Sequence, residues 1–258
     1  MVLNGDIFAE LDYAEILETH KKSKALATIA LCEVEDPTRY GVAELTEKGK
    51  ITRFIEKPAK GTAPTNLINA GIYVLSPEIF SYLPKGKHVS MEREIFPKLV
   101  KEGKLYGHKI NGLWMDIGKP DEYLQANKII LDNAKTLKTN NQNTINAKKP
   151  FAIDTGVNIG ANAVIGPYAI IGKNVTIGEN VQIKETVILP DTKIDDSTVI
   201  NGAIIGEGAK IGKNVKIGKG CIIGDHAKIR DNITIAKKTT VCPAKEVSEN
   251  ILKPTSIC

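Results

Sequence analysis

The chain has 258 residues, 42% hydrophobic and 25% charged, with a formal net charge of +5. That balance excludes a disordered chain and predicts a packed protein with room for two modest domains. No apolar run is long enough to span a bilayer and no secretory signal opens at Met1, so neither a membrane partner nor export is expected.

The first half alternates helix and strand patterns. Met1-Val2-Leu3 reads as the end of a buried strand, with Asn4-Gly5-Asp6 as the turn after it. "ELDYAEILETHKKS" (10–23) predicts an amphipathic helix with Leu11, Ala14, Ile16 and Leu17 inward. "ALATIALCEV" (25–34) predicts a buried strand, "KITRFIEK" (50–57) a half-exposed one, and "NAGIYVL" (69–75) another apolar strand. Short helices follow, with Ser76 and Ser90 as N-caps. A longer helix over 120–134 starts on Pro120 with acids in its first turn.

The stretch "AKTLKTNNQNTINAKKP" (134–150) carries four lysines and no acid. It has no aromatic for base stacking, so it predicts a solvated connector and no nucleic-acid partner. Composition changes across it: eleven of thirteen aromatics precede residue 151, and twelve of twenty-two glycines follow it. The domain boundary is placed there.

Beyond it the chain repeats. Large aliphatics recur every six residues at Ile153, Ile159, Ile165, Ile171, Ile177, Ile183 and Leu189. The series resumes at Ile205, Ile211, Ile217, Ile223, Ile229, Ile235 and Val241, with Ile194 and Ile200 between. A smaller residue commonly stands two positions earlier, and a glycine often follows. Alternate strand residues share a face, so both apolar positions point inward, and the glycine turns a corner. Period six does not fit a helix. The expected organisation is an α/β domain over 1–133, a linker over 134–150, a β-helix over 151–242 and a tail over 243–258. The two-residue deficit between Leu189 and Ile205 is expected to be absorbed at corners. The four cysteines, Cys32, Cys221, Cys242 and Cys258, form no C-x-x-C pair and are scattered. That argues against a zinc site or a disulfide framework and points to a reducing cytoplasm.

Five stretches carry candidate chemistry: "LNGD" (3–6), "YGV" (40–42), "EKP" (56–58), "NAGIY" (69–73) and "WMDIG" (114–118). Taken singly, each suits a turn or a solvated surface. In this order and spacing they resemble the sugar-1-phosphate nucleotidyltransferases, most of all the mannose-1-phosphate guanylyltransferase group. The hexads resemble the left-handed parallel β-helix of hexapeptide-repeat proteins.

The resemblance implies a doubly wound, Rossmann-like domain, truncated at its N-terminal side, followed by that β-helix. It implies transfer of a nucleotidyl group from a nucleoside triphosphate to a sugar 1-phosphate, with GTP and mannose 1-phosphate foremost. Asp6 and Asp116 would hold a Mg²⁺ ion, which takes hard oxygen ligands. Lys57 would contact the sugar phosphate and Glu56 the sugar hydroxyls. Gly41, Asn69 and Asn4 would complete the substrate contacts, and the β-helix would support a homo-oligomer. The family's Gly-rich phosphate loop should precede Asp6 by nearly a hundred residues, and residues 1–150 contain no G-x-G. The expectation is therefore a chain that lacks the nucleotide-binding part and is inactive alone. Two other functions stand beside it: an acyltransferase with His226 as general base, and a non-catalytic regulatory subunit of such a transferase.

Overall fold

The structure is a computed structural model and describes residues 1–133 and 146–258. Most of the expected linker, 134–145, lies outside the described residues. By compactness the chain divides into Met1–Asp116 and Ile117–Cys258.

The first unit holds strands β1 (Val2–Leu3) and β2 (Ile7–Glu10), helix α1 (Tyr13–Ser23), then β3 (Ala27–Glu33), β4 (Gly41–Leu45), β5 (Ile51–Glu56) and β6 (Leu67–Leu75). Helix α2 (Phe96–Lys101), β7 (Leu105–Lys109) and β8 (Leu113–Asp116) complete it. The main sheet runs β5-β4-β6-β3-β7, with β1 also on β6. It is mixed: β3 and β7 are parallel, whereas β3, β4 and β1 all run antiparallel to β6. Both faces are covered, in a Rossmann-like layering. Ala27, Ile29 and Leu31 pack with Phe96 and Leu99 on one side, while Ala30 and Cys32 pack with Ile16, Ile68 and Ile72 on the other. Alternation along β3 divides the two cores.

Helix α1 starts where Asp12 accepts the Ala14 N–H at 2.8 Å and ends at Lys24 in the left-handed region. Its inward residue is Ile16, fully buried, whereas Leu17 is 37% exposed, which corrects the expected stripe. Ser90 caps the turn over Met91–Ile95 by accepting the Arg93 N–H, but Ser76 makes no such bond at its own turn.

The second unit is a parallel β-solenoid with helix α3 (Pro120–Asn133) beside it. Among the described residues, three parallel sheets of seven, six and six short strands form its faces. Inward isoleucines fill the centre, with Ile165, Ile188, Ile194, Ile205 and Ile223 fully buried. The helix is tied to the solenoid by Lys128 Nζ to Glu185 Oε2 at 2.6 Å and by Tyr168 donating to Asp132 at 3.1 Å.

Two sequence expectations are revised here. The inward residue near 189 is Ile188, paired between Ile171 and Ile205, while Leu189 is only half-buried. The deficit is two separate single-residue shortenings, between Ile183 and Ile188 and between Ile200 and Ile205, at the same edge of successive coils. Thr186 and Thr198 lie in these coils with their hydroxyls buried and bonded. Thr198, for example, donates to Gly212 O and accepts the Val215 N–H.

The solenoid also extends past the expected limits. Asn146–Ala147 pairs with Val164–Ile165 at one end. At the other, Glu246–Val247 and Ser256–Ile257 add rungs where a tail was expected. The pairing of Val241 with Ile257 brings Cys242 beside Cys258, and the two form a disulfide with Cα atoms 4.9 Å apart. Scattered cysteine spacing could not show this, because the coil supplies the proximity. Cys32 and Cys221 are free and buried, and burial pushes the Cys32 thiol up to about 12. Among the described residues, no helix is long and apolar enough to cross a membrane.

Candidate active site

Asp6 and Asp116 are 110 positions apart in sequence, yet an antiparallel ribbon brings their backbones together. Strands β2 and β8 pair in the register Ile7↔Asp116 to Glu10↔Leu113, so Asp6 adjoins the rung that ends on Asp116. Trp114 donates to Ala70 O at 2.9 Å and meets the Tyr40 ring edge-on, fixing the ribbon against β6 and the turn before β4. The Asp116 carboxylate accepts from Tyr40 at 3.3 Å and faces the Arg39 guanidinium at 3.4 Å.

A second group gathers around β6. Asn69 is oriented at both ends of its amide: Oδ1 accepts the Gly71 N–H at 3.0 Å, and Nδ2 donates to the Tyr73 hydroxyl at 3.0 Å. Tyr73 in turn donates to Glu92 Oε1 at 3.2 Å, and Ser90 donates to the other Glu92 oxygen. Asn4 joins through its backbone, donating to Gly71 O at 2.8 Å, and its side chain lies over the bare Cα of Gly71.

Gly41 pairs with Glu56 across β4 and β5. A Cβ at Gly41 would stand 2.9 Å from a Glu56 carboxylate oxygen and closer still to the Phe54 ring, so the side chain's absence lets that carboxylate settle over the strand. Lys57 follows at φ 48, donating its N–H to Tyr40 O. Left-handed backbone is unfavourable for a non-glycine residue, and Pro58 restricts it further. Such local strain gathers at binding sites.

Burial above all, then the negative charge of Glu92, pushes the Glu56 carboxyl up from its ordinary 4.5, and Lys57 and Arg93 oppose the shift. A raised acid holds its proton longer in the native state than in the unfolded chain. Its stabilising contribution is therefore complete below pH 4.5 and is lost as pH rises through the raised value. Glu56→Gln should accordingly gain thermal stability relative to the parent as pH rises from 4.5 to 7. Melting curves across that range check it, and parallel curves for the two proteins would contradict it.

The structure thus links Asn4 and Asn69 with Tyr73 and Glu92, sets Gly41, Glu56 and Lys57 together on β4 and β5 with the Glu92 charge acting on Glu56, and brings the Asp6 backbone beside the rung of Asp116, which meets Arg39 and Tyr40. Sequence reasoning singled out neither Tyr73, Glu92, Arg39 nor Tyr40. Tyr40 and Tyr73 lie inside quoted motifs, but the Tyr73–Glu92 contact joins β6 to the turn over Met91–Ile95, a pairing that no local pattern shows.

The donor chemistry fits a divalent ion. Two carboxylates suit Mg²⁺, which completes its shell with phosphate and water. Among the described residues no group of three or more His, Cys, Asp or Glu side chains could hold a metal.

Two other arrangements are set aside. His226 is an exposed corner residue at φ 57, its ring lying over Gly208. His20 sits between Ser76 at 3.0 Å and Thr28 at 2.9 Å, as a serine–histidine pair would. The Ser76 hydroxyl, however, also lies 3.1 Å from Ala25 O, a carbonyl that competes with His20 for its proton, and His20 is held by Thr28 on its other nitrogen.

The chain belongs to the nucleotidyl transferase family, whose model matches residues 1–133. A model of the GMPPB C-terminal domain matches residues 147–257. Among its relatives, a probable mannose-1-phosphate guanylyltransferase 3 of Arabidopsis thaliana is 39% identical over 64% of this chain and 46% of its own length. The mannose-1-phosphate guanyltransferase of Saccharomyces cerevisiae is 35% identical over 64% of this chain and 42% of its own. That of Xenopus laevis, beta-A, is 36% identical over 52% and 37%. The chain spans less than half the length of these relatives.

Proposed function

We propose that the Met1–Asp116 unit binds a sugar 1-phosphate, mannose 1-phosphate foremost, for nucleotidyl transfer from GTP with release of pyrophosphate. The observation that carries this reading is the Ile7–Asp116 register, which brings Asp6 to Asp116 while Asn4, two residues earlier, reaches the Asn69–Tyr73 network. The names of the relatives support the choice of sugar and base.

In this reading Glu56 and Asn69 hold the sugar hydroxyls, with Tyr73 and Glu92 keeping Asn69 in place. Lys57 meets the phosphate as a point charge, and the bare Gly41 lets the Glu56 carboxylate lie over the strand to meet the sugar. Asp6 and Asp116 would hold the divalent ion, which when bound neutralises charge developing on the α-phosphate. Transfer depends mainly on such positioning and charge stabilisation.

Residues 1–150 contain no G-x-G loop to cradle a triphosphate, so the chain by itself is expected to bind the sugar phosphate without turnover. Calorimetric titration with mannose 1-phosphate and Mg²⁺ tests the reading. Lys57→Ala should weaken binding at least tenfold, while Lys48→Ala, outside the cluster, should not change it. Equal affinity in Lys57→Ala and the parent would overturn the assignment. GDP-mannose formed by the unaltered chain would overturn the expectation of no turnover.

A further inference from the structure

Where α3 lies against the solenoid there is a recess of ≈ 580 Å³. Its origin is visible in one column of corner residues: Tyr168, Glu185, Gly202, Gly220 and Lys238 in successive coils, all at positive φ. Tyrosine, glutamate and lysine adopt that backbone here, so Gly202 and Gly220 are not required for their φ. They supply room. A Cβ on Gly202 would stand 2.9 Å from Lys219 Cγ, and one on Gly220 would stand 3.2 Å from Lys238 Cγ. The two lysine stems therefore lie across bare backbone. The coil shortened between Ile200 and Ile205 has Gly202 at this same corner.

The recess is lined by charge of one excess sign. Glu185 is already engaged by Lys128 at 2.6 Å and Lys184 at 3.3 Å. Asp121 is the other acid in the lining, against Lys219, Lys237 and Lys238. Among the described residues these three lysines stand in no ion pair. Rungs are spaced by about 4.8 Å, so cations at one corner of adjacent coils repel each other unless an anion joins them. Leu124 of α3 and Ile222 of the solenoid add an apolar wall. A volume of this size suits a small molecule and not a polymer.

We infer that this recess binds an organic phosphate, its phosphate on Lys219, Lys237 and Lys238 and its body against Leu124 and Ile222. No residue of the proposed sugar-phosphate site takes part.

Calorimetric titration of the whole chain with GMP and with inorganic phosphate, at low salt, tests it. GMP should saturate one site and bind at least tenfold tighter than phosphate. The double substitution Lys219→Met/Lys238→Met, which keeps the stems and removes the charge, should weaken GMP at least tenfold. Lys210→Met/Lys228→Met, a pair on an exposed face, should leave it unchanged, as should Lys57→Ala. Lys219→Met alone is read in the same way should the double variant fold poorly. No saturable GMP binding, equal affinity for phosphate, or equal loss in the Lys210/Lys228 control would overturn the proposal. Loss in Lys57→Ala with none in Lys219→Met/Lys238→Met would also overturn it and assign the nucleotide to the other site.

Discussion

Ile171→Asp should unfold the solenoid at temperatures where the parent is intact. Ile171 is 1% exposed and stacks between Ile153 and Ile188 on one inner face. A carboxylate there would lie in a continuous aliphatic column with no partner, and burying an unpaired charge carries one of the largest penalties a single substitution can impose. A loss of about 4 kcal/mol or more is expected. Ile217→Asp, at 3% exposure in another sheet, should behave alike. Lys173→Ala, on an exposed side chain, should stay within about 0.5 kcal/mol. Denaturant melts followed by circular dichroism measure all three. A near-neutral result at both isoleucines would refute the inward register.

Asp6→Ala and Asp116→Ala should each abolish divalent-ion binding in the presence of mannose 1-phosphate. Two carboxylates on neighbouring rungs are the hard-oxygen donors proposed to hold the ion, and losing either leaves too few protein ligands to organise phosphate and water around it. Mn²⁺ followed by electron paramagnetic resonance is a direct probe, with at least a hundredfold weakening expected in each variant. Stability should change far less. Asp6 is exposed, and the Arg39–Asp116 pair is partly open to solvent, where such pairs contribute about 1 kcal/mol or less. Mn²⁺ retained at parental affinity in either variant would remove that residue from the site. Metal loss accompanied by unfolding would instead mark Asp116 as a structural partner of Arg39 and Tyr40.

Much of this protein was legible without coordinates because the relevant signals are local. Six-residue periodicity specifies a rung and a corner, and inward isoleucines at the regular spacing follow from their neighbours alone. The alternation of helix and strand patterns likewise marks α1, β3, β5, β6 and α3. Local patterns failed where one residue decides phase. Leu189 and Ile188 are equally apolar, and only the ladder from Ile171 to Ile205 selects Ile188. The last rungs were missed for a related reason: residues 243–258 depart from the hexad, and their pairing is dictated by the coil beneath them.

By itself, the sequence determined the two kinds of architecture, the candidate acids and the motif residues, since composition, period and residue type are properties of short windows. The tertiary structure decided what stands beside what. It brought Asp6 to Asp116 through the β2–β8 ribbon, joined Asn69 to Glu92 through Tyr73, and closed Cys242 onto Cys258. It also made a recess of two corner glycines and the lysines across them. Those juxtapositions link residues up to 110 positions apart, and register, not propensity, sets them, because a ladder fixes every pair along two strands once one pair is formed.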